Sequence, residues 1–574
     1  MTAHNGKLAI DNTGMSGYQN IDDHTRIYIR AEFSPAPEYQ ASSDESNISL
    51  SFGNSHNVSI RYGISFINEE QAQRNMELEV SGKDCSGLSA EGRDEWNREL
   101  SKIEVYGGTE EEKSVFYTSL YRTFERMINI NEYGKYYSPY DRAVHDTERN
   151  IYTDDWIWDT YRAAHPLRAI IDRKSEEDMI NSFIRMAMES EEKWMPTFPE
   201  ITGDSHRMNG NHAVAVILDG YRKGLRGFDV DSAYMFCRNA LLHKSLLPWT
   251  RQPLTDLDMF YHDSLYFPAL NPGESETCPF VDPSERRQAV AVTLGHSYDS
   301  WCLSELASET GHKEDIDLFR RYASAYKNLF NNGTGFFHPK NSDGKFIEPF
   351  DYRFSGGMGA RDYYDENNGW TYRWNCQHDI PGLINLMGGE EKFAEDLDAT
   401  FREPLGLSKY EFYSKLPDQT GNVGQFSMAN EPSLHIPYLY DYCGQPWKTQ
   451  KRIRTLLSQW FRNDLMGVPG DEDGGGMSAF VVFSMMGFYP VTPGIPEYAI
   501  GSPVFERIVI HLENGKTFEV IAKNNSAENI YIRSAALDGR KLERPFISHE
   551  EIMSGGTMVL EMDNRPNMSW GSEK

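Results

Sequence analysis

The chain has 574 residues, 39% of them hydrophobic and 25% charged, which is the composition of a folded protein too long for one ordinary core. We therefore expect two or more domains. A net charge of −29 argues against nucleic acid or an anionic membrane as partner, because phosphate groups are bound by clustered Lys and Arg. The carboxylate excess suits divalent cations, although an acidic surface also serves solubility alone.

Cysteine usage and hydropathy exclude further classes. The six cysteines are scattered without a CxxC pair, so neither a zinc site nor a redox motif is predicted. No run of about 18 apolar residues occurs, so we expect no membrane span. The first residues lack the basic-then-apolar pattern of a signal peptide, as expected of a cytosolic protein or of an incomplete gene start. The sequence therefore leaves the localisation open.

The first 70 residues show the alternating pattern of β-strands. Strands are predicted over Arg26–Phe33 and Val58–Phe66, and the polar stretch from Ala41 to Asn57 is interpreted as a loop. From Glu69 to Leu100 the pattern is helical and highly charged. This segment is predicted to be a linker into a new domain.

Helical patterns dominate from about Ser114 to Leu465. In Ser175–Ser190, Ser175 and Asp178 predict a cap close to a capping box. Five apolar residues share one face of that helix: Met179, Ile180, Phe183, Ile184 and Ala187. Further helices are predicted at Asn211–Gly224, Ser232–His243, Gln288–Thr310, Glu314–Phe330 and Lys448–Phe461. Many helices separated by long loops suit a toroid of helical hairpins whose loops converge on one face.

The pattern returns to strands after Gly501. Arg507–Leu512 and Thr517–Ala522 flank Asn514-Gly515, which predicts a hairpin. Another strand is predicted over Asn529–Leu537. The tail is therefore expected to be a small all-β unit.

Three consecutive carboxylates, Asp471 to Asp473, precede three glycines, Gly474 to Gly476. Like charges packed this tightly cost free energy unless protons or a cation offset them, and glycine lets a backbone approach a ligand closely. A hard cation such as Ca²⁺, bound by oxygen ligands, fits this pattern. The alternative is a solvated acidic turn.

Glu366 lies among Asn, Gly and Trp residues, including Trp370. A carboxyl group beside an aromatic ring can have a raised pKa and donate a proton at neutral pH. With Asp471 or Asp473 as base, this supplies the acid and base of glycoside hydrolysis. Inverting enzymes hold the two carboxyls roughly 6.5–9.5 Å apart to leave room for water.

Other residues in these loops have two interpretations. Four histidines are candidate ligands but more often order a loop or contact a sugar hydroxyl: His165, His212, His378 and His435. Three tryptophans are candidates for either the core or a sugar platform: Trp158, Trp370 and Trp374.

At these loops the sequence resembles glycoside hydrolase family ninety-two, the calcium-dependent inverting exo-α-mannosidases. The resemblance is carried by Trp158-Asp159-Thr160-Tyr161-Arg162, Gly210-Asn211-His212, Glu366-Asn367-Asn368-Gly369-Trp370, Asn430-Glu431-Pro432-Ser433 and Pro469-Gly470-Asp471-Glu472-Asp473. It implies a multidomain fold: a β-sandwich followed by an (α/α)6 barrel, with the site between them. We accordingly expect the later part of the sandwich at 1–70, a helical linker at 71–113, the catalytic barrel at 114–500 and a β segment at 501–574.

The resemblance also implies roles. It makes Glu366 the general acid and places Asp471 and Asp473 in the base region. It implies Ca²⁺ as cofactor, with Asn430, Glu431 and Asp473 as ligands. It implies a mannose-containing glycan as substrate, bound by Asp159, Arg162, His212, Trp370, Glu431 and His435. Relatives of this family are often exported.

Departures from the family pattern leave alternatives open. Gly476 stands where the family usually has Gln, Phe480 where it often has Trp, and Leu434 where His is common. The N-terminal sandwich is shorter than in most members, which would leave an unpaired strand edge and exposed apolar surface. The alternatives are a non-catalytic mannoside-binding protein and another inverting (α/α)6 glycosidase. Glu366 being Glu rather than Gln favours ordinary mannosides over mannosyl phosphates, whose leaving group needs no proton.

Overall fold

The structure, a computed structural model, describes residues 3–11 and 14–572. An antiparallel sheet with the spatial order β1-β2-β3-β6 forms its N-terminal part. The six strands of this part are β1 (Gly6–Ile10), β2 (Met15–Asn20), β3 (Arg26–Ser34), β4 (Tyr39–Asp44), β5 (Asn47–Ser51) and β6 (Ser59–Ser65). Strands β3 and β6 confirm the two strands predicted here.

Strands β4 and β5 form a hairpin in the stretch predicted as a loop, so that prediction was wrong. The Ser- and Asn-rich composition hid an apolar position, Ile48, which is buried against Met15 and Ala31. This small cluster attaches the hairpin to the sheet. On edge strand β6, Ile60 and Tyr62 are exposed at 49% and 59%.

Helices α1 (Glu69–Glu79) and α2 (Cys85–Leu100) confirm the predicted helical stretch. Asn68 and Asp84 cap them by accepting hydrogen bonds from the backbone N–H groups of Gln71 and Gly87, the third residue of each helix. Strand β7 (Ile103–Tyr106) follows and pairs with a strand near the other end of the chain, Arg507–His511. Residues of the predicted linker thus contribute to the C-terminal sheet.

The helices that carry the site lie in the middle of the chain. They are α3 (Glu110–Arg122), α4 (Ile157–Thr160), α5 (Ala164–Ile171), α6 (Arg173–Glu189), α7 (Ala213–Arg222), α8 (Val230–His243), α9 (Asp256–Ser264), α10 (Ala289–Thr310), α11 (Lys313–Ala323), α12 (Gly369–Tyr372), α13 (Ile380–Met387), α14 (Glu390–Thr400), α15 (Lys409–Lys415), α16 (Pro446–Trp460) and α17 (Gly476–Met486). The helices predicted from periodicity are confirmed to within a few residues, with the last part of Glu314–Phe330 in a 3-10 turn.

Short antiparallel ribbons lie between these helices. They are β8 (Ile128–Asn129) with β11 (Tyr152–Thr153), β9 (Lys135–Ser138) with β10 (Ala143–Asp146), β12 (Pro199–Glu200) with β13 (Gly203–Asp204), β14 (Phe330–Asn331) with β15 (Phe336–Phe337), and β16 (Asn422–Val423) with β17 (Phe426–Ser427). They brace the long loops that hold the polar clusters of the sequence.

Helix α6 confirms its predicted apolar face, since all five residues named for it are buried. Its predicted cap was wrong. The helix begins at Arg173, with Asp172 as its N-cap residue and no side-chain capping bond. Because Asp172 is also the C-cap residue of α5, the junction between the two helices sets the start of α6, and Ser175 lies inside the helix.

Two sheets end the chain. Their strands are β18 (Phe488–Tyr489), β19 (Glu497–Ile500), β20 (Arg507–His511), β21 (Thr517–Lys523), β22 (Tyr531–Leu537), β23 (Arg540–Leu542), β24 (Phe546–Ser548) and β25 (Gly556–Asp563), with helix α18 (His549–Met553) before β25. The larger sheet has the order β23-β22-β25-β21-β20-β7. The predicted hairpin is confirmed as β20 and β21, which are antiparallel.

One continuous hydrophobic core joins the helical region to the C-terminal sheets, running from Ile103 to Trp570. The small Met15 cluster of the N-terminal sheet is separate from it. Within residues 3–11 and 14–572, no helix has the length and apolar character needed to cross a bilayer.

Candidate active site

Three carboxylates from distant parts of the chain meet in the helical region. Asp159 lies on α4, Glu431 opens a 3-10 turn at Glu431–Ser433, and Asp473 opens another just before α17. One oxygen of each lies within 4.8 Å of one oxygen of both others. Asp159 and Glu431 are buried and Asp473 is half-buried, so this carboxylate trio is largely withdrawn from water.

The glycine run brings Asp473 to Asp159. Gly475 has a φ of 103°, which favours glycine, and a Cβ on Gly476 would lie 3.2 Å from the backbone oxygen of Asp159. The start of α17 can therefore pack directly on α4. Glu472 accepts a hydrogen bond at Oε2 from the Gly475 backbone N–H, so the middle carboxylate of the motif holds the turn.

Burial makes this trio costly as three free charges. Burial and then Asp473 and Asp159 raise the pKa of Glu431 well above its usual range. Burial, Asp473 and Glu366 do the same to the pKa of Asp159, and burial raises the pKa of Asp473 to about 6. Neither buried oxygen of Glu431 receives a hydrogen bond from any described donor. Oxygen ligands with unused lone pairs and excess negative charge fit a hard cation.

Glu366 lies beside this trio with its backbone in the left-handed region, at a φ of 59°. Asn430 donates a hydrogen bond from Nδ2 to Glu366 Oε2 at 2.8 Å. Burial, followed by the charges of Asp365 and Asp418, raises the pKa of Glu366 well above its usual range. The raised pKa favours the protonated form of Glu366, the form that the sequence predicted for a proton donor.

Asn430 links Glu366 to the next loop residues. Its Oδ1 accepts a hydrogen bond from Asn367 Nδ2 at 2.5 Å, so both ends of its amide are engaged. Asn368 in turn caps α12. The structure thus places Asn430, predicted as a metal ligand, between Glu366 and Asn367, whereas Asp159, predicted to bind substrate, lies in the carboxylate trio.

Arg162 and His435 line a small cavity near Asp159 with Tyr161 and Tyr489. The Arg162 guanidinium lies 4.8 Å from the Tyr161 ring centre and donates from Nε to the Trp158 carbonyl. Burial lowers the pKa of His435 to about 4, so its ring is neutral and lies 2.9 Å at Nε2 from the Trp374 carbonyl oxygen. Both side chains are rigidly held.

His212 and Trp370 lie at other positions in the loops. His212 Nδ1 lies 2.7 Å from Asp299 Oδ1, and its ring is tilted by 36° against the Tyr161 ring, with the ring centres 4.5 Å apart. Trp370 is half-buried and packs edge-on against Phe336. Both are fixed by neighbouring side chains.

The remaining histidines and tryptophans hold the fold. His165 lies between Asp155 and Glu176, 2.8 and 2.9 Å from their oxygens. His378 contacts a backbone carbonyl through Nε2. Trp158 and Trp374 are buried, which makes them core residues. For these four residues, the contacts are those of side chains that order loops or fill the core.

Asp471 is exposed at the rim of the site. Arg361 and Asp418 also lie near Glu366, and the sequence did not predict them as site residues. Their side chains lie 3.7 Å apart, from Nη2 to Oδ2. Neither belongs to a motif that carries chemistry, and the only local signal is the glycine-rich stretch that precedes Arg361.

Comparison with known proteins agrees with this architecture. The profile of the glycosyl hydrolase family 92 catalytic domain matches residues 71–564. A solved family 92 inverting mannosidase from Bacteroides thetaiotaomicron is 32% identical and superposes with a TM-score of 0.86, covering 99% of this chain and 78% of that one. A family 92 α-mannosidase of the same organism, solved with mannoimidazole, is 26% identical with a TM-score of 0.86, covering 99% and 75%.

A curated protein of Arthroderma benhamiae, described as an uncharacterized secreted glycosidase, is 28% identical over 546 residues. The match covers 90% of this chain and 62% of that protein, so the chain spans less than two thirds of that relative's length. Because the family profile covers most of the chain, the chain belongs to glycosyl hydrolase family 92.

Proposed function

We propose that the protein is an exo-acting α-mannosidase that hydrolyses terminal α-linked mannose with inversion and depends on Ca²⁺. In this proposal the central helices form an (α/α)6 barrel. The observation that carries it is the position of Glu366, a carboxyl group with a raised pKa, beside the trio of Asp159, Glu431 and Asp473. A proton donor next to a cluster of acceptors is the pairing that glycoside hydrolysis needs.

Glu366 would protonate the departing glycosidic oxygen. The Asn430 amide occupies Oε2, so the acid proton is held on Oε1, which is left to face the substrate. As the bond breaks, the proton moves to the leaving oxygen and Glu366 becomes a carboxylate. A sugar is a poor leaving group and gains most from this transfer, so ordinary mannosides are favoured over mannosyl phosphates.

Asp471 and Asp473 would activate the water that attacks the anomeric carbon. The pKa of Asp473 is about 6, so it is mainly ionised at neutral pH and able to accept a proton. Asp471 is exposed and close enough to Asp473 for its charge to add to burial in raising the pKa of Asp473. Water attacking opposite the leaving group gives inversion.

Asp159, Glu431 and Asp473 would hold the cation, with Asn430 next to them. When bound, Ca²⁺ would supply Lewis-acid contacts to sugar hydroxyls and offset the negative charge. Arg162 and His435 would shape the sugar pocket beside Asp159, with His212 supporting Tyr161 and Trp370 at the outer wall. These assignments follow the resemblance of the loop motifs.

The test is release of mannose from α-1,2-, 1,3-, 1,4- and 1,6-mannobiosides, with the product anomer followed by NMR. The proposal expects β-mannose first, loss of activity with EDTA and recovery with Ca²⁺. First-formed α-mannose would exclude inversion. Saturable mannoside binding without turnover would favour a mannoside-binding protein. That relative is described as secreted, and we propose export for this protein too.

A further inference from the structure

Arg361 bridges the proposed acid and a second carboxylate. Its Nη2 lies 3.6 Å from Glu366 Oε1 and 3.7 Å from Asp418 Oδ2. Glu285 holds the guanidinium from behind, accepting from Nε at 2.9 Å. Arg361 is therefore fixed with its outer nitrogens toward Glu366 and Asp418.

The Arg361–Asp418 pair has unused hydrogen-bonding capacity. Within residues 3–11 and 14–572, the bond to Glu285 is the single hydrogen bond that the guanidinium donates, since both Nη2 contacts are too long. No described residue donates a hydrogen bond to the Asp418 carboxylate, since Arg361 lies 3.7 Å from it. The side chains are 17% and 33% exposed, so both are half-withdrawn from water yet reachable from it. Such a pair is prepared for a polar ligand.

The position of the pair relative to Glu366 indicates which ligand that is. The trio that would receive the mannose being released is buried, so its leaving group must extend from Glu366 toward solvent. Arg361 faces the Glu366 oxygen that Asn430 leaves free, and Asp418 is the more exposed of the pair. A leaving group protonated by Glu366 therefore departs past Arg361 and Asp418.

We propose that Arg361 and Asp418 bind adjacent hydroxyls of the leaving-group sugar and so select hydroxylated leaving groups over plain ones. The proposal rests on the function proposed above. A carboxylate accepts two hydroxyl hydrogens and a guanidinium donates to the hydroxyl oxygens, so the pair matches a vicinal diol. Aryl and fluoride leaving groups offer no such diol.

The test compares kcat/KM for the best α-mannobioside with kcat/KM for methyl α-mannoside in the wild type and in Asp418→Ala. A methanol leaving group needs the same proton as a sugar but has no diol, so a change in the acid affects both substrates. The ratio is expected to fall at least tenfold in the variant, because the lost contacts exist only in the disaccharide. A ratio that stays within twofold would overturn the proposal, whether both rates fall together or neither changes.

Glu403→Ala is the matched control. Glu403 is also 33% exposed and its carboxylate lies 3.5 Å from Arg353, outside the site. Its ratio should equal that of the wild type, and thermal unfolding checks that both variants fold.

Should the wild type hydrolyse neither substrate, the proposed function fails, and the inference is then tested by measuring binding with calorimetry. The disaccharide should then bind more tightly than methyl α-mannoside to the wild type, and Asp418→Ala should lose that advantage. An equal loss of affinity for the disaccharide and for methyl α-mannoside in Asp418→Ala would overturn the inference.

Discussion

The Asn430 amide donates a 2.8 Å hydrogen bond to Oε2 of Glu366 and leaves Oε1, the oxygen that we propose carries the acid proton, without that contact. Without it, Glu366 is free to rotate and to carry its proton on either oxygen. For Asn430→Ala we expect kcat on a mannobioside to fall by roughly ten- to a hundredfold, within the range of general acid catalysis. Measured calcium affinity separates the roles. A large loss of affinity with an unchanged kcat at saturating Ca²⁺ would favour the ligand role predicted from sequence.

Replacing Glu366, the proposed acid, should slow substrates whose leaving group needs a proton more than substrates whose leaving group does not. Glu366→Gln keeps the shape but has no proton to transfer, so kcat on a mannobioside should fall by about a hundred- to ten-thousandfold. A 2,4-dinitrophenyl mannoside, whose leaving group needs no proton, should lose far less. Glu403→Gln is the control for a generic loss of a carboxylate. Equal losses on both substrates would remove Glu366 from the acid role.

Calcium should stabilise the folded protein through the carboxylate trio. Because the trio forms only on folding, Ca²⁺ at a hundred times its dissociation constant should raise the free energy of unfolding by about 2.7 kcal/mol. We expect thermal unfolding with Ca²⁺ to occur at higher temperature than with EDTA. In Glu431→Gln this rise should vanish.

In the absence of calcium, Glu431→Gln should not lower the unfolding temperature of the protein. Because Glu431 is buried beside two carboxyls with no described donor, Glu431→Gln should unfold in EDTA at the same temperature as the wild type or higher. A clearly lower unfolding temperature would indicate that Glu431 makes a stabilising contact of its own.

His165 should give stability a pH dependence. Burial alone would lower its pKa, but the charges of Glu176 and Asp155 outweigh burial and raise it to about 9. A raised folded-state pKa means that the contribution is complete below about pH 6.5 and is lost as pH rises through 9. The free energy of unfolding should fall by about 3 kcal/mol over this pH range. Denaturant unfolding at pH 6.5, 8 and 9.5 measures it, and His165→Gln should flatten the curve while lowering stability at pH 6.5. An equally steep decline in the variant would assign it to other groups.

Much of the fold followed from local pattern. The helices around α6 and α10 and the β20–β21 hairpin were predicted because apolar periodicity and an Asn-Gly turn are local properties. The β4–β5 hairpin was missed because a single buried residue, Ile48, attaches it. The pairing of β7 with β20 was also missed, since it joins residues about 400 positions apart.

The sequence by itself predicted the family, which comparison shows, and suggested Glu366 as the acid, a role that stays a prediction. Both follow because Glu366 and the carboxylates of 471–473 occur in motifs whose residue types suit only a few chemistries. Only the tertiary structure decided how those carboxylates divide: Asp473 joins Asp159 and Glu431, Glu472 holds a turn, and Asp471 lies exposed. The physical reason is that charge and protonation in this site depend on burial and on neighbours hundreds of residues away. For the same reason Arg361 and Asp418 became visible only when the chain was folded.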